Sequence, residues 1–92
     1  MPLDIQPELP PLRNDPDGTV RVGDTRILYE LVIRAFQDGA WPEQIVMEYE
    51  GLSLGDAYAA IAFYYRHRDA VERYLADYER GAAELRAKVE AA

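Results

Sequence analysis

Cysteine is absent from this chain, which excludes disulfides, thiolate nucleophiles and thiolate-held metals. Histidine occurs once, at His67, and a single imidazole without cysteine cannot supply a zinc-type site. The Asp and Glu residues are dispersed rather than convergent, and VGDTRI is too short for a phosphate loop and lacks the following Lys-Ser/Thr. No catalytic residue, metal site or cofactor is therefore expected. No run of about 18 apolar residues occurs, so no membrane span is expected. The opening MPLDIQPELPPL has no basic stretch followed by an apolar block, so no secretory signal is expected and the composition suits the cytoplasm. Lysine is scarce: nine of the ten basic residues are arginines, which favour planar, bidentate contacts with carboxylate or phosphate. The net charge of −7 is spread along the whole chain and opposes non-specific binding to nucleic acid.

What is present points to one small folded domain. Of 92 residues, nearly half are hydrophobic and seven are tyrosines. Residues 1–10 are proline-rich and lack periodicity, so they read as an extended arm. Two turn signals follow, NDPDG (Asn14–Gly18) and Gly23-Asp24 between β-branched stretches. Together they predict three very short strands, which must pack on helices to be stable. The spacing predicts helix one over Leu28–Asp38, ended by Gly39, with Leu28, Leu31, Val32, Ala35 and Phe36 facing the core. Helix two starts at Pro42, with Ile45, Val46 and Tyr49 inward, and stops at Gly51. Ser53 caps helix three.

Helix three is apolar nearly all round. Leu54, Ala57, Tyr58, Ile61, Tyr64 and Tyr65 make one face, and Gly55, Ala59, Ala62 and Phe63 the other. A helix apolar on both sides needs two covers, so Gly55, Tyr58, Ala59, Ala62 and Phe63 are candidates for a homodimer interface. Beyond it, Val71, Leu75, Tyr78, Ala82, Leu85 and Val89 step at heptad spacing, in phase with helix three. Asp69 either caps a fourth helix or lies within a continuous one. Gly81 weakens this helix by about 1 kcal/mol relative to alanine, so it suits a partner surface better than a solitary coiled coil. Arg73, Arg80, Arg86 and Lys88 alternate with acidic residues, consistent with pairs such as Glu84–Lys88 on a solvated face. Arg66 and His67, with Arg68, form the densest basic cluster, either a phosphate or acidic-partner contact or compensation of the helix dipole. Arg26 is either a phosphate contact or a pin for the hairpin. Arg13 and Arg21 are expected on the solvent side of the sheet, with Arg21 a second candidate for nucleic acid.

Three linked segments carry a resemblance: DGTVRVGDTRI (Asp17–Ile27), QDGAWPEQIVMEY (Gln37–Tyr49) and GLSLGDAYAAIAFYYRHRDAVERYL (Gly51–Leu75). In order and spacing they resemble the bacterial family known as domain of unknown function 433, over roughly Pro11 to Leu75. The resemblance implies a helix-turn-helix domain with a small N-terminal sheet and, commonly, the antitoxin role of type II toxin–antitoxin pairs with a PIN-like ribonuclease as toxin. It implies no catalytic residues. Since PIN-like nucleases cluster carboxylates around divalent metal, Arg80 or Arg86 on an antitoxin helix would compete with that metal. Two positions depart from the family. Trp41 stands where the family has the Ser or Thr cap of helix two, a loss of typically about 1 kcal/mol that burial of the ring would offset. Residues 42–56 carry Glu43, Glu48, Glu50 and Asp56 and no Lys or Arg, which disfavours operator DNA.

The expected fold is mostly α: an arm over 1–10, a helix-turn-helix (winged-helix-like) three-helix core with N-terminal hairpins over 11–68, and a long C-terminal amphipathic helix over 69–92. The expected function is an antitoxin-like binding protein that neutralises a PIN-like ribonuclease toxin and regulates its own operon, working as a homodimer. Its partner-binding candidates are Trp41, Arg73, Leu75, Tyr78, Arg80, Leu85, Arg86 and Val89. The alternatives are a DNA-binding transcriptional repressor, contacting nucleic acid through Arg21, Arg26, Arg66 and His67, and a dimeric scaffold without a toxin partner.

Overall fold

Glycine, proline and serine set the ends of the helices where the sequence places them. The structure is a computed structural model that describes residues 1–91; residue 92, the last of the expected C-terminal segment, lies outside the described residues. Two strands, β1 (Leu12–Asn14) and β2 (Val20–Val22), are followed by α1 (Tyr29–Gln37), α2 (Pro42–Glu48), α3 (Leu54–Arg66) and α4 (Arg68–Ala91). The chain is therefore mostly α, with a small antiparallel sheet near its start and a long C-terminal helix.

The sheet has two strands rather than the three expected. β1 and β2 pair with Leu12 opposite Val22, Arg13 opposite Arg21 and Asn14 opposite Val20. The third segment contributes only an isolated bridge between Arg21 and Leu28. The reason is local. Thr25 turns inward, its hydroxyl donating to the Val22 carbonyl and accepting from the Ile27 N–H, so that N–H is not free to extend a ladder. Helix α1 then begins at Tyr29 before a strand can lengthen.

Helix α1 ends in a Schellman motif. The Ala40 N–H reaches the Ala35 carbonyl, the Gly39 N–H reaches Phe36, and Gly39 takes φ +102°, where a side chain would be strained. Its buried side is Tyr29, Val32 and Ile33, whereas Leu31 is exposed, so the core face is rotated from the one expected. Tyr29 causes the rotation. Hydrophobic spacing leaves it off the core face, yet its hydroxyl donates to the Ala60 carbonyl of α3 at 3.0 Å, which permits full burial of the ring. Burial pushes the Tyr29 hydroxyl well above its ordinary pKa, and neighbouring Tyr64 adds to the shift. A raised folded-state value means that stability is intact below the unfolded tyrosine pKa of about 10 and is lost as pH rises past it. Tyr29→Phe is thus expected to cost about 1 kcal/mol at neutral pH. It should also flatten the alkaline fall in melting temperature. An equally steep alkaline fall in the variant would count against this assignment.

Helix α2 starts at Pro42, and residues 49–53 carry the chain into α3, where the Ser53 hydroxyl accepts the Asp56 N–H at 3.1 Å. Helices α3 and α4 are distinct. His67 leaves helical geometry (φ −133°, ψ 43°), and α4 turns back onto the domain. There Val71 and Leu75 enter the core, Tyr64 donates to Glu72, and the Tyr74 hydroxyl accepts the Val20 N–H at 2.9 Å. The core is one cluster drawn from β2, α1, α2, α3 and the first turns of α4.

Candidate interaction surfaces

Past the core, α4 stands free. Its last tie to the domain is the ion pair from Arg34 of α1 to Glu79, 3.2 Å long, and every described residue beyond it is exposed. The expected partner stripe on α4 is therefore split. Leu75 belongs to the core, because the break at His67 folds the first half of the seam back onto the domain. Tyr78 is half-buried, its ring near that of Tyr74. Leu85, Arg86 and Val89 remain on the projecting half, and Arg73 is exposed nearer the core. Arg80 is held by Asp77 at 2.7 Å, while Arg86 makes no ion pair among the described residues. The expected Glu84–Lys88 pair does not form.

The hairpin arginines are not a free basic surface. Arg21 and Arg26 both reach Asp15 Oδ2 at 3.1 Å, and Arg13 Nε lies 3.7 Å from Asp15 Oδ1. Arg21 also spans to Asp17 at 3.5 Å and donates to the Arg26 carbonyl, and Arg13 donates to the carbonyls of Gly23 and Thr25. Arg13 and Arg21 share the face of the sheet opposite the packed Leu12 and Val22, where the pairing register sets them side by side and one carboxylate gathers both. Asp17 is engaged as well, since the Thr19 hydroxyl and N–H both donate to it and hold its carboxyl below the usual carboxylate range.

The α2–α3 side is acidic. Glu43, Glu48 and Glu50 are exposed there. The Tyr58 hydroxyl donates to Glu43 at 2.7 Å, which lowers the Glu43 pKa and raises that of Tyr58. Trp41 is 70% exposed, so within this chain its ring is not buried and only a partner would cover it; an indole has no acceptor to cap α2 either. Instead the Gln44 side chain accepts the Trp41 N–H at 2.7 Å, which supplies one half of a capping box.

On the outer face of α3, Gly55, Ala59, Ala62 and Phe63 line a groove of about 950 Å³ together with the arm residues Leu3, Ile5 and Leu9. Arg66 and His67 close one end, and the His67 ring lies 4.4 Å from that of Phe63. Arg68 points elsewhere, its guanidinium over the rings of Tyr64 and Tyr65 at 5.2 and 5.3 Å. A smaller apolar cleft of about 370 Å³ lies between the hairpin and the start of α4, lined by Leu12, Val20, Tyr29, Phe63 and Tyr74 among others. Among the described residues no cluster of three or more His, Cys, Asp or Glu is placed to hold a metal ion, and no helix is long and apolar enough to cross a membrane.

A family model described as "Protein of unknown function (DUF433)" matches residues 17–64, more than half of the chain. The chain belongs to the DUF433 family. The match runs from the hairpin turn to Tyr64 of α3, narrower than the Pro11–Leu75 span of the resemblance, and leaves the arm and α4 of this DUF433 protein outside it. A crystal structure at 2.00 Å of a DUF433 member protein from Anabaena variabilis ATCC 29413 is similar to it. The two chains are 27% identical, with a TM-score of 0.61, over 73% of this chain and 69% of that one. No curated protein matches the chain.

Proposed function

We propose that this DUF433 protein is a non-catalytic, antitoxin-type binding module that engages its partner through the projecting half of α4. The observation that carries the reading is the continuation of α4 to Ala91, well past its last tie to the domain at Glu79. A helix in that situation has no intramolecular reason to keep Leu85 and Val89 on its surface, whereas a helix laid into a partner's groove does. The family resemblance supplies the partner class, a PIN-like ribonuclease. Arg86, which makes no ion pair among the described residues, is the cation best placed to approach a carboxylate-lined metal site; Arg80 would first have to leave Asp77. Operator DNA is the weaker reading, because Arg21 and Arg26 are committed to Asp15 and the α2–α3 side presents carboxylates to any phosphate.

The test starts from the neighbouring reading frames, where a PIN-like ribonuclease is expected and its absence would count against the reading, and pairs that nuclease with the purified full-length protein. Leu85→Asp and Val89→Asp, at exposed positions, should leave the melting temperature unchanged and weaken inhibition of the nuclease at least tenfold. Inhibition at parental strength by both variants would remove α4 from the proposal.

A further inference from the structure

The groove on the outer face of α3 has an occupant that its own charges specify. Read from its N-terminal end, this face carries Asp56 and Gly55, then Ala59 and Ala62, then Arg66. Acidic and basic ends are thus separated by small residues, the two charges lying ten positions, or about 15 Å, apart along the helix. Neither Asp56 nor Arg66 makes an ion pair among the described residues. Such a face complements itself when a second copy runs antiparallel to it. We infer that the groove is the interface of a two-fold homodimer in which α3 packs antiparallel on α3 of a second copy. About an axis between Ala59 and Ala62, Asp56 of each copy meets the Arg66 end of the other. Gly55, having no side chain, leaves room for the incoming arginine.

The area sets a second requirement. A stable protein interface buries roughly 800 Å² on each partner. The outer face of one helix about 20 Å long falls short of that. The arm makes up the difference, for Leu3, Ile5 and Leu9 are exposed and border the same groove. Leaving four large apolar groups of an otherwise acidic chain in water, the three arm residues and half-buried Phe63, is unfavourable until a second copy covers them. The surface is separate from the free half of α4, so either proposal can fail without the other.

Sedimentation or light scattering at micromolar concentration tests it on the full chain. The parent is expected to be a dimer. Asp56→Arg and Arg66→Asp should each weaken dimerisation at least tenfold, because each sets like charges opposite one another. The double variant D56R/R66D rebuilds both pairs with reversed polarity and should return to within about threefold of the parent, a rescue no purely structural role of these residues would produce. Ala62→Glu, at an exposed position, tests the middle of the face independently of Asp56 and should give monomer with an unchanged helical spectrum. Ile5→Asp tests the arm and should weaken the dimer. A monomeric parent, a double variant no tighter than the single ones, or an Ala62→Glu protein that still dimerises would each overturn the proposal.

Discussion

Ile33→Ala is expected to destabilise the domain by roughly 3 kcal/mol, and Leu31→Ala by about 1 kcal/mol or less. Both residues are apolar and lie two positions apart on α1, but Ile33 is 0% exposed and Leu31 39% exposed. Removing three carbons at Ile33 opens a cavity among neighbours that interlock in a single cluster and cannot close it freely. At Leu31 the lost carbons already meet water, and alanine's higher helix propensity offsets part of the loss. For a domain of this size, 3 kcal/mol corresponds to a fall in melting temperature of roughly 12–24 °C. Urea unfolding of the two variants at unchanged m-value measures the difference. Hydrophobic spacing alone ranks the pair the other way, since it puts Leu31 on the core face and omits Ile33. Equal losses, or a larger loss at Leu31, would restore that ranking and contradict the observed rotation of the helix.

The reversal shows what could be read from the chain and what could not. Helix ends were legible because each is set by the chemistry of one residue: the left-handed backbone of Gly39, the fixed φ of Pro42, the side-chain oxygen of Ser53. Which side of a helix faces inward depends instead on tertiary hydrogen bonds. Tyr29 turns inward only because the Ala60 carbonyl waits for its hydroxyl, and that carbonyl belongs to a helix 31 positions away. The third strand was lost for a similar reason, Thr25 taking up the N–H that pairing required.

The surfaces divide along the same line. The outer face of α3 was legible because a helix apolar all round in so small a domain must leave one side uncovered. The seam on α4 was legible as a period but not as a surface. Leu75 and Leu85 occupy the same stripe, yet one closes the core and the other stands in water, and the difference comes from the turn at His67. A heptad pattern states that a stripe will be covered, not what covers it. The trio around Asp15 was the least legible of all, since it depends on the strand register and on the return of the chain after Gly23.

That trio carries the second large effect. Asp15→Ala is expected to cost roughly 2–3 kcal/mol, more than any single arginine that touches it. One carboxylate, 13% exposed, pairs with three guanidiniums that come from β1, β2 and the following turn. Removing it leaves three like charges side by side, with Asp17 still 3.5 Å from Arg21. Removing Arg26 instead takes away a side chain that is 75% exposed and leaves Asp15 still paired twice, so Arg26→Ala should cost about 0.5 kcal/mol. Added salt discriminates the cause. Screening relieves repulsion among the three arginines, so the stability gap between Asp15→Ala and the parent should narrow at high ionic strength. The same variant should bind heparin more strongly than the parent, because one carboxylate fewer opposes the cluster and Arg26, 75% exposed, loses its ion pair and can meet sulfate or phosphate. A loss below about 0.5 kcal/mol, or a gap that widens with salt, would mean that hairpin hydrogen bonds rather than this carboxylate hold the arginines in place.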